Sequence, residues 1–183
     1  MDPGQVAGRE AGAEAMTGLD PPTAPVLTSP MSDISRRLAA LGISLPEPAA
    51  PVAAYVPAVL AGNLLHVSGQ VPFEEGALMT GRLGEDRDLV FGTRAARACA
   101  IMLLAQIGKA LGSLDRVERI VKLGVFVNSA ADFTDQPKVA NGASELMEAV
   151  FGEAGKHARS AVGVPTLPLG AAVEVDAVVA VRL

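Results

Sequence analysis

Two residues near the end of the chain have the chemistry to handle a small acid. Arg159 opens the run Arg159-Ser160-Ala161-Val162-Gly163-Val164, and Glu174 lies within Val173-Glu174-Val175-Asp176-Ala177. A guanidinium presents a planar fork of donors that grips a carboxylate bidentately and stays charged at any relevant pH. Glu174, read as lying on the strand beside Arg159, can orient or activate a water, and the backbone after Arg159 can polarise an imine nitrogen or a developing charge. Hydrolysis of an imine needs little more. The same residues also admit a structural account. In it Arg159 opens a strand as the ion-pair partner of Glu174, Ser68-Gly69-Gln70 is only a bend, and Tyr55 only anchors an edge strand.

Other chemistries find no foothold. No glycine-rich loop runs into Lys-Ser or Lys-Thr, and Gly81-Arg82-Leu83-Gly84 lacks the strand–turn–helix setting of a phosphate cradle. His66 and His157 stand far apart, neither at i, i+4 spacing from another ligand, so no metal is expected; His66 reads as a strand residue and His157 as a surface one. No Gly-x-Ser-x-Gly elbow occurs, and no spacing signal assembles a Ser-His-Asp set.

The elements that must position Arg159 and Glu174 follow from hydrophobic period and turn residues. Ser32 is a good N-cap for a short helix carrying Ile34, Leu38 and Leu41 and closed by Gly42. Pro46, Pro48 and Pro51 demand an extended lead-in. Tyr55–Leu60 and Leu64–Gly69 flank Gly62-Asn63 as a hairpin, with Pro57 holding the first strand at an edge. Glu74-Glu75-Gly76 marks a turn before a short strand at Ala77–Thr80. Asp88–Leu111 has a helical pattern apolar almost all round, ended by Gly112. Val117–Val127 alternates, with Val117, Arg119, Val121, Leu123, Val125 and Val127 on one face, and reads as a long central strand. A helix starting near Pro137 with Asp135 or Thr134 as cap, and strands at Arg159–Val164 and Ala171–Leu183, complete the order. The expected fold is α+β, a mixed sheet with its helices gathered on one face. The other face is apolar on several strands and needs a partner.

Composition narrows the class. The 183 residues suit one domain with a real core: 50% are hydrophobic and 19% charged, with no Trp, so small and branched aliphatics must fill the interior. A net charge of −5 and no run of Lys or Arg argue against nucleic acid as a partner. The lone Cys99 cannot form an intrachain disulfide, which fits a cytoplasmic setting. The most apolar windows, Ala98–Leu104 and Val173–Val181, are shorter than a bilayer span, so no membrane partner is expected. Residues 1–30 mix Gly, Ala, Glu and Pro without periodicity, and are expected to be a disordered, dispensable extension to a domain over 31–183. Met31 is a candidate true start.

Several of these segments together resemble the Rid family, the YjgF-type reactive-intermediate deaminases long labelled endoribonuclease L-PSP. The resemblance rests on Arg159-Ser160, the Leu167-Pro168 turn and Val173-Glu174-Val175-Asp176-Ala177. It is joined by Ser68-Gly69-Gln70-Val71-Pro72, by Tyr55 thirteen residues before Ser68, by Val125-Phe126-Val127 with Asp132-Phe133, and by Asn141. It covers essentially all of residues 31–183. The extra N-terminal helix and the Asn141-Gly142-Ala143-Ser144 run mark a longer, divergent branch, and Ala161 stands where typical deaminases have Cys. The resemblance implies a chorismate mutase-like fold, a homotrimer and a cofactor-free hydrolysis of 2-enamine or 2-imine acids to 2-keto acids and ammonia. It also implies a cleft between subunits with Arg159 at its base, Glu174 acting on water, and Tyr55, Ser68, Gly69, Asn141 and the main chain at Ala161 contacting the substrate. The alternative is a trimeric module that binds a small carboxylate without turnover. Ribonuclease activity, suggested by the older label, sits badly with the acidic balance and the missing pair of catalytic histidines.

Overall fold

The computed structural model describes residues 32–48 and 54–183; the expectation for residues 1–30 lies outside them. Helix α1, Asp33–Ala40, starts where Ser32 places its hydroxyl on the Ser35 amide, and it buries Leu38. Strands β1 (Ala58–Ala61) and β2 (Leu64–Gln70) form the hairpin across Gly62, whose φ of 61° the turn requires. The strand begins later than its sequence suggests, leaving Tyr55 and Pro57 in the bend before it. A second hairpin, β3 (Phe73–Glu74) with β4 (Ala77–Leu78), stands apart from the main sheet, and Glu75 and Gly76, both at positive φ, close it. Only its second strand was expected.

The long helix α2, Leu89–Leu111, is capped by Asp88, whose carboxylate accepts from the Phe91 amide at 2.8 Å, and ends on Gly112 at φ 77°. It buries Ala95, Ala96, Ala98, Cys99 and Ala100 together with Leu103, Leu104 and Ile107. Small residues let neighbours approach it on more than one side. By length and composition α2 is apolar enough to cross a bilayer, which shorter windows did not reveal, but 67% of that stretch is buried within the fold. Helix α3, Gln136–Phe151, follows Asp135 with Pro137 in its first turn and ends at Gly152.

Strands β5 (Val117–Asn128), β6 (Ala158–Val164) and β7 (Val173–Val181) complete a five-stranded sheet in the order β1-β2-β7-β5-β6. Only β5 and β6 run parallel, joined through α3; the other pairs are antiparallel. The alternation read along β5 is corrected by two irregularities, between Val117 and Arg119 and between Ile120 and Lys122. Each adds a residue and flips the faces. Val117, Ile120, Leu123, Val125 and Val127 therefore turn to the core, while Arg119 sits opposite Ala180 on the other face. Helices α2 and α3 pack on one side of the sheet, α2 over Val173, Val175, Ala177, Val179 and Val181 of β7 and α3 over β5 and β6. The opposite face carries Val59, Phe126, Val162, Val178 and Ala180 around Glu174 and Asp176, with Val59 51% and Val162 45% exposed.

Candidate functional site

The Ser68-Gly69-Gln70 segment is more than a bend. Register along β2 and β7 slips between Val67 and Gln70, so one extra residue bulges out of β2. Ser68 ties this bulge to the lead-in: its amide donates to the Pro57 carbonyl and its hydroxyl to the Val56 carbonyl, both at 2.9 Å. Gln70 turns its side-chain amide back onto the carbonyls of Ser68 and Gly69, at 3.0 and 3.1 Å, satisfying groups the bulge removes from the ladder. Tyr55, held in the lead-in beside Val56, is 51% exposed.

Gly69 admits the Glu174 carboxyl as it is placed here. A Cβ at Gly69 would lie 1.9 Å from Oε1 of Glu174, so the carboxyl lies flat against the bare backbone of the bulge. Burial raises the pKa of the half-buried Glu174, and the neighbouring Asp176 charge adds to the rise. Asp176 is held by the Gly124 amide, which donates to Oδ1 at 3.1 Å, and a Cβ at Gly124 would lie 2.6 Å from that oxygen, so the carboxylate as placed here depends on the glycine. On the core side Cys99 is fully buried, and desolvation, followed by the Glu174 charge, pushes its thiol well up. A thiol so placed is a packing group.

Arg159 belongs to a different group of residues. It lies in register with Leu123 and, beyond it, Ala177, on the face covered by helices. Its Nη1 donates to Asn141 Oδ1 at 3.0 Å and to Ser144 Oγ at 2.9 Å, and its Nη2 to the Pro137 carbonyl at 3.1 Å. Those bonds use three of its five donors. Nε–H and one Nη2–H have no acceptor among the described residues. Ala161, two residues on, faces the same way and packs half-buried against the core.

The pairing of Arg159 with Glu174 is thereby corrected. Strand β5 separates β6 from β7, and Glu174, in register with Phe126, points to the opposite face. Within one chain the structure brings Asn141 to Arg159, and Ser68 and Gly69 to Glu174. It does not bring the two groups together. Sequence reasoning also missed the surroundings of His157, which is half-buried and no mere surface residue: one ring nitrogen lies 3.0 Å from Ser144 Oγ and the other 2.6 Å from the Gly155 carbonyl. Helical spacing puts Ser144 one turn beyond Asn141 on the face that meets Arg159, a signal the sequence did carry.

Comparison with known proteins places this geometry in a family. The model of the YjgF/chorismate mutase-like endoribonuclease family matches residues 35–180. Protein TCP17 of Trypanosoma cruzi is 56% identical over 148 residues, covering 80% of this chain and 92% of that protein. The 2-iminobutanoate/2-iminopropanoate deaminase of Dermatophagoides farinae is 27% identical, covering 76% of this chain and 95% of that protein. Among solved structures, the protein Atu1372 of Agrobacterium tumefaciens, of unknown function, superposes with a TM-score of 0.77 at 47% identity, over 82% of this chain and 93% of that one. An endoribonuclease-family protein of Shewanella oneidensis superposes with a TM-score of 0.78 at 35% identity, over 81% of this chain and 99% of that one. With the family model spanning most of the chain and two such relatives covering four-fifths of it, the chain belongs to the YjgF/chorismate mutase-like family.

Proposed function

We propose that this chain hydrolyses reactive 2-imine or 2-enamine acids to 2-keto acids and ammonia, in a cleft completed by a second copy of itself within a trimer. The observation that carries the reading is the half-buried Glu174 carboxyl lying on Gly69. Imine hydrolysis needs a group that takes a proton from water and returns one to the departing amine. A carboxyl whose pKa is raised by burial is a stronger base than an ordinary one and suits that exchange. Arg159, with two donors free after being braced by Asn141, is suited to the substrate carboxylate. Because the two groups occupy opposite faces of one sheet, a shared substrate needs Arg159 from one copy and Glu174 from another. The apolar residues around Glu174 give such a copy a surface to cover. The named activity of the mite relative agrees with this chemistry.

A second reading, a module that binds a small carboxylate without turnover, is favoured by one observation. Three of the Arg159 donors are spent on the chain's own groups, as befits a rigid clamp. A coupled assay separates the two. An amino-acid oxidase generates imines from a panel of amino acids, and their decay is followed with and without the protein. Faster decay supports the enzyme; unchanged decay with measurable 2-keto acid binding supports the module. Light scattering should give about three times the 18.6 kDa chain mass, and a monomer at micromolar concentration would refute the shared cleft.

A further inference from the structure

His157 and Ser144 form an arrangement that imine hydrolysis does not use. Helix α3 supplies Ser144, the turn before β6 supplies His157, and the short 3-10 segment Gly152–Gly155 supplies a carbonyl aimed at the ring. A carbonyl can only accept, so Nδ1, 2.6 Å from the Gly155 oxygen, carries the imidazole proton. The neutral ring then presents its lone pair at Nε2, and the Ser144 hydroxyl donates into it over 3.0 Å. Arg159 Nη1 donates to the same Oγ from 2.9 Å, placing a fixed positive charge where a serine alkoxide would form. Nucleophile, base and base-orienting acceptor thus stand in sequence, with a backbone carbonyl in the orienting position that a carboxylate occupies in a triad.

The group opens onto a cavity of about 450 Å³ lined by Ser144, Glu148, Gly155, Lys156, His157 and Arg159. Lys156, on the cavity wall, is paired with Glu153 at 2.6 Å and Glu148 at 3.8 Å, and Arg159 is the cation hydrogen-bonded to Oγ. The cavity has room for a small acyl compound. We infer that Ser144, activated by His157, is a nucleophile toward small activated acyl donors such as esters and thioesters. Ser144 Oγ forms a bond to the acyl carbon while its proton passes to His157 Nε2. The imidazolium returns that proton to the departing alcohol or thiol as the C–O or C–S bond breaks. Water, deprotonated by the same nitrogen, releases the carboxylic acid and restores Ser144. No other co-reactant is needed. The site lies on the helix-covered face, away from Glu174, and shares Arg159 with the imine reading, but its chemistry needs neither Glu174 nor a second copy of the chain.

The full chain treated with a serine-directed fluorophosphonate and digested for mass spectrometry gives the test. One adduct is expected, on the peptide carrying Ser144, forming in the folded protein and not in denaturing urea. Ser144→Ala should abolish it, and His157→Gln should slow it by about 100-fold, the low end of what a general base contributes. Circular dichroism confirms that each variant is folded. With p-nitrophenyl acetate the parent should release nitrophenol in a burst matching one equivalent of chain. Absence of an adduct on the folded parent, equal labelling in urea, or an adduct that persists in folded Ser144→Ala overturns the assignment and leaves the trio as a brace for Arg159. The first two of these outcomes are read on the parent alone, so they hold even if a variant does not fold.

Discussion

Substituting Gly142 by Ala tests the packing that holds the Arg159 group in place. Gly142 lies in α3 between Asn141 and Ser144, facing α2. A Cβ there would sit 2.0 Å from the Thr93 carbonyl oxygen and 2.9 Å from its carbon. Carbon and oxygen ordinarily approach no closer than about 3.3 Å, so the helices must part by about 1.3 Å. The struck atom belongs to the backbone of a buried helix and cannot swing aside as a side chain would. Overpacking costs about 1–3 kcal/mol, and this contact belongs at the upper end. Against it, alanine gains about 1 kcal/mol over glycine in a helix interior. The net is a loss of about 2 kcal/mol, or about 4–8 °C in Tm for a chain of this length. Melting of parent and variant at one protein concentration measures it. Because α3 also carries Asn141 and Ser144, 2-keto acid binding should weaken together with stability. A Gly142→Ala protein that melts at or above the parent temperature would show that the close approach of α2 and α3 is wrong.

Three further outcomes are expected. Arg159→Ala should lower affinity for 2-keto acids by about 1.5–3 kcal/mol, the value of a charge-assisted hydrogen bond, while Arg159→Lys restores only part because an ammonium lacks the paired donors; calorimetric titration measures both, and unchanged affinity would return Arg159 to a structural role. Glu174 has a folded pKa above its unfolded one, so its contribution to stability is present at low pH and lost as pH rises from the ordinary glutamate value through the raised one. Glu174→Gln should therefore gain stability relative to the parent over that window and then level off, with imine turnover falling; a flat difference in denaturant midpoint across pH would contradict it. Gly69→Ala should change stability by no more than about 1 kcal/mol, since the atom it strikes is the mobile end of Glu174, yet it should depress turnover as much as Glu174→Gln does.

Where hydrophobic period and caps decide local structure, the sequence was legible. Ser32, Asp88 and Asp135 mark the starts of three helices, and Gly112 and Gly152 end two of them. Pro57 lies just outside the edge strand it was expected to define. Strand order was not legible, because alternation says which residues share a face and nothing about which strand is the neighbour. Arg159 and Glu174 therefore looked adjacent until β5 came between them. Bulges were also hidden: the extra residues near Glu118 and Val121 carry no glycine or proline to announce them, and a strictly alternating reading assigns Arg119 to the core. Within the candidate site, Asn141 and Gly69 were expected to meet one substrate beside both Arg159 and Glu174, whereas Asn141 sits at Arg159 and Gly69 at Glu174, on opposite faces. The setting of His157 was not anticipated, since its partner Ser144 lies on another element and its other partner is a main-chain carbonyl that no side-chain pattern encodes.

Much of the polar chemistry on this sheet depends on missing β-carbons. Glu174 lies over Gly69, Asp176 over Gly124, and Gln136 Nε2 and Ser129 Oγ each come within 2.7 Å of where a Cβ of Gly163 would stand. Glycine in a strand interior sacrifices packing and adds backbone entropy to be lost on folding, so its presence at three such positions needs a compensating gain. The gain is a polar group lying flat against the strand, close enough for the Gly124 amide to reach Asp176, and partly out of water. Partial burial raises the Glu174 pKa, and the Asp176 charge beside it raises it further. The two glycines that admit these carboxylates therefore help set the protonation of Glu174, although neither carries a titratable group. By the same reasoning Gly124→Ala should drive Asp176 off the sheet and break its bond to the position 124 amide, relieving the repulsion that Glu174 feels. The Glu174 pKa should then fall toward its ordinary value, as carboxyl carbon NMR shifts across pH would show. A Glu174 titration that does not move in folded Gly124→Ala would mean that burial alone sets it.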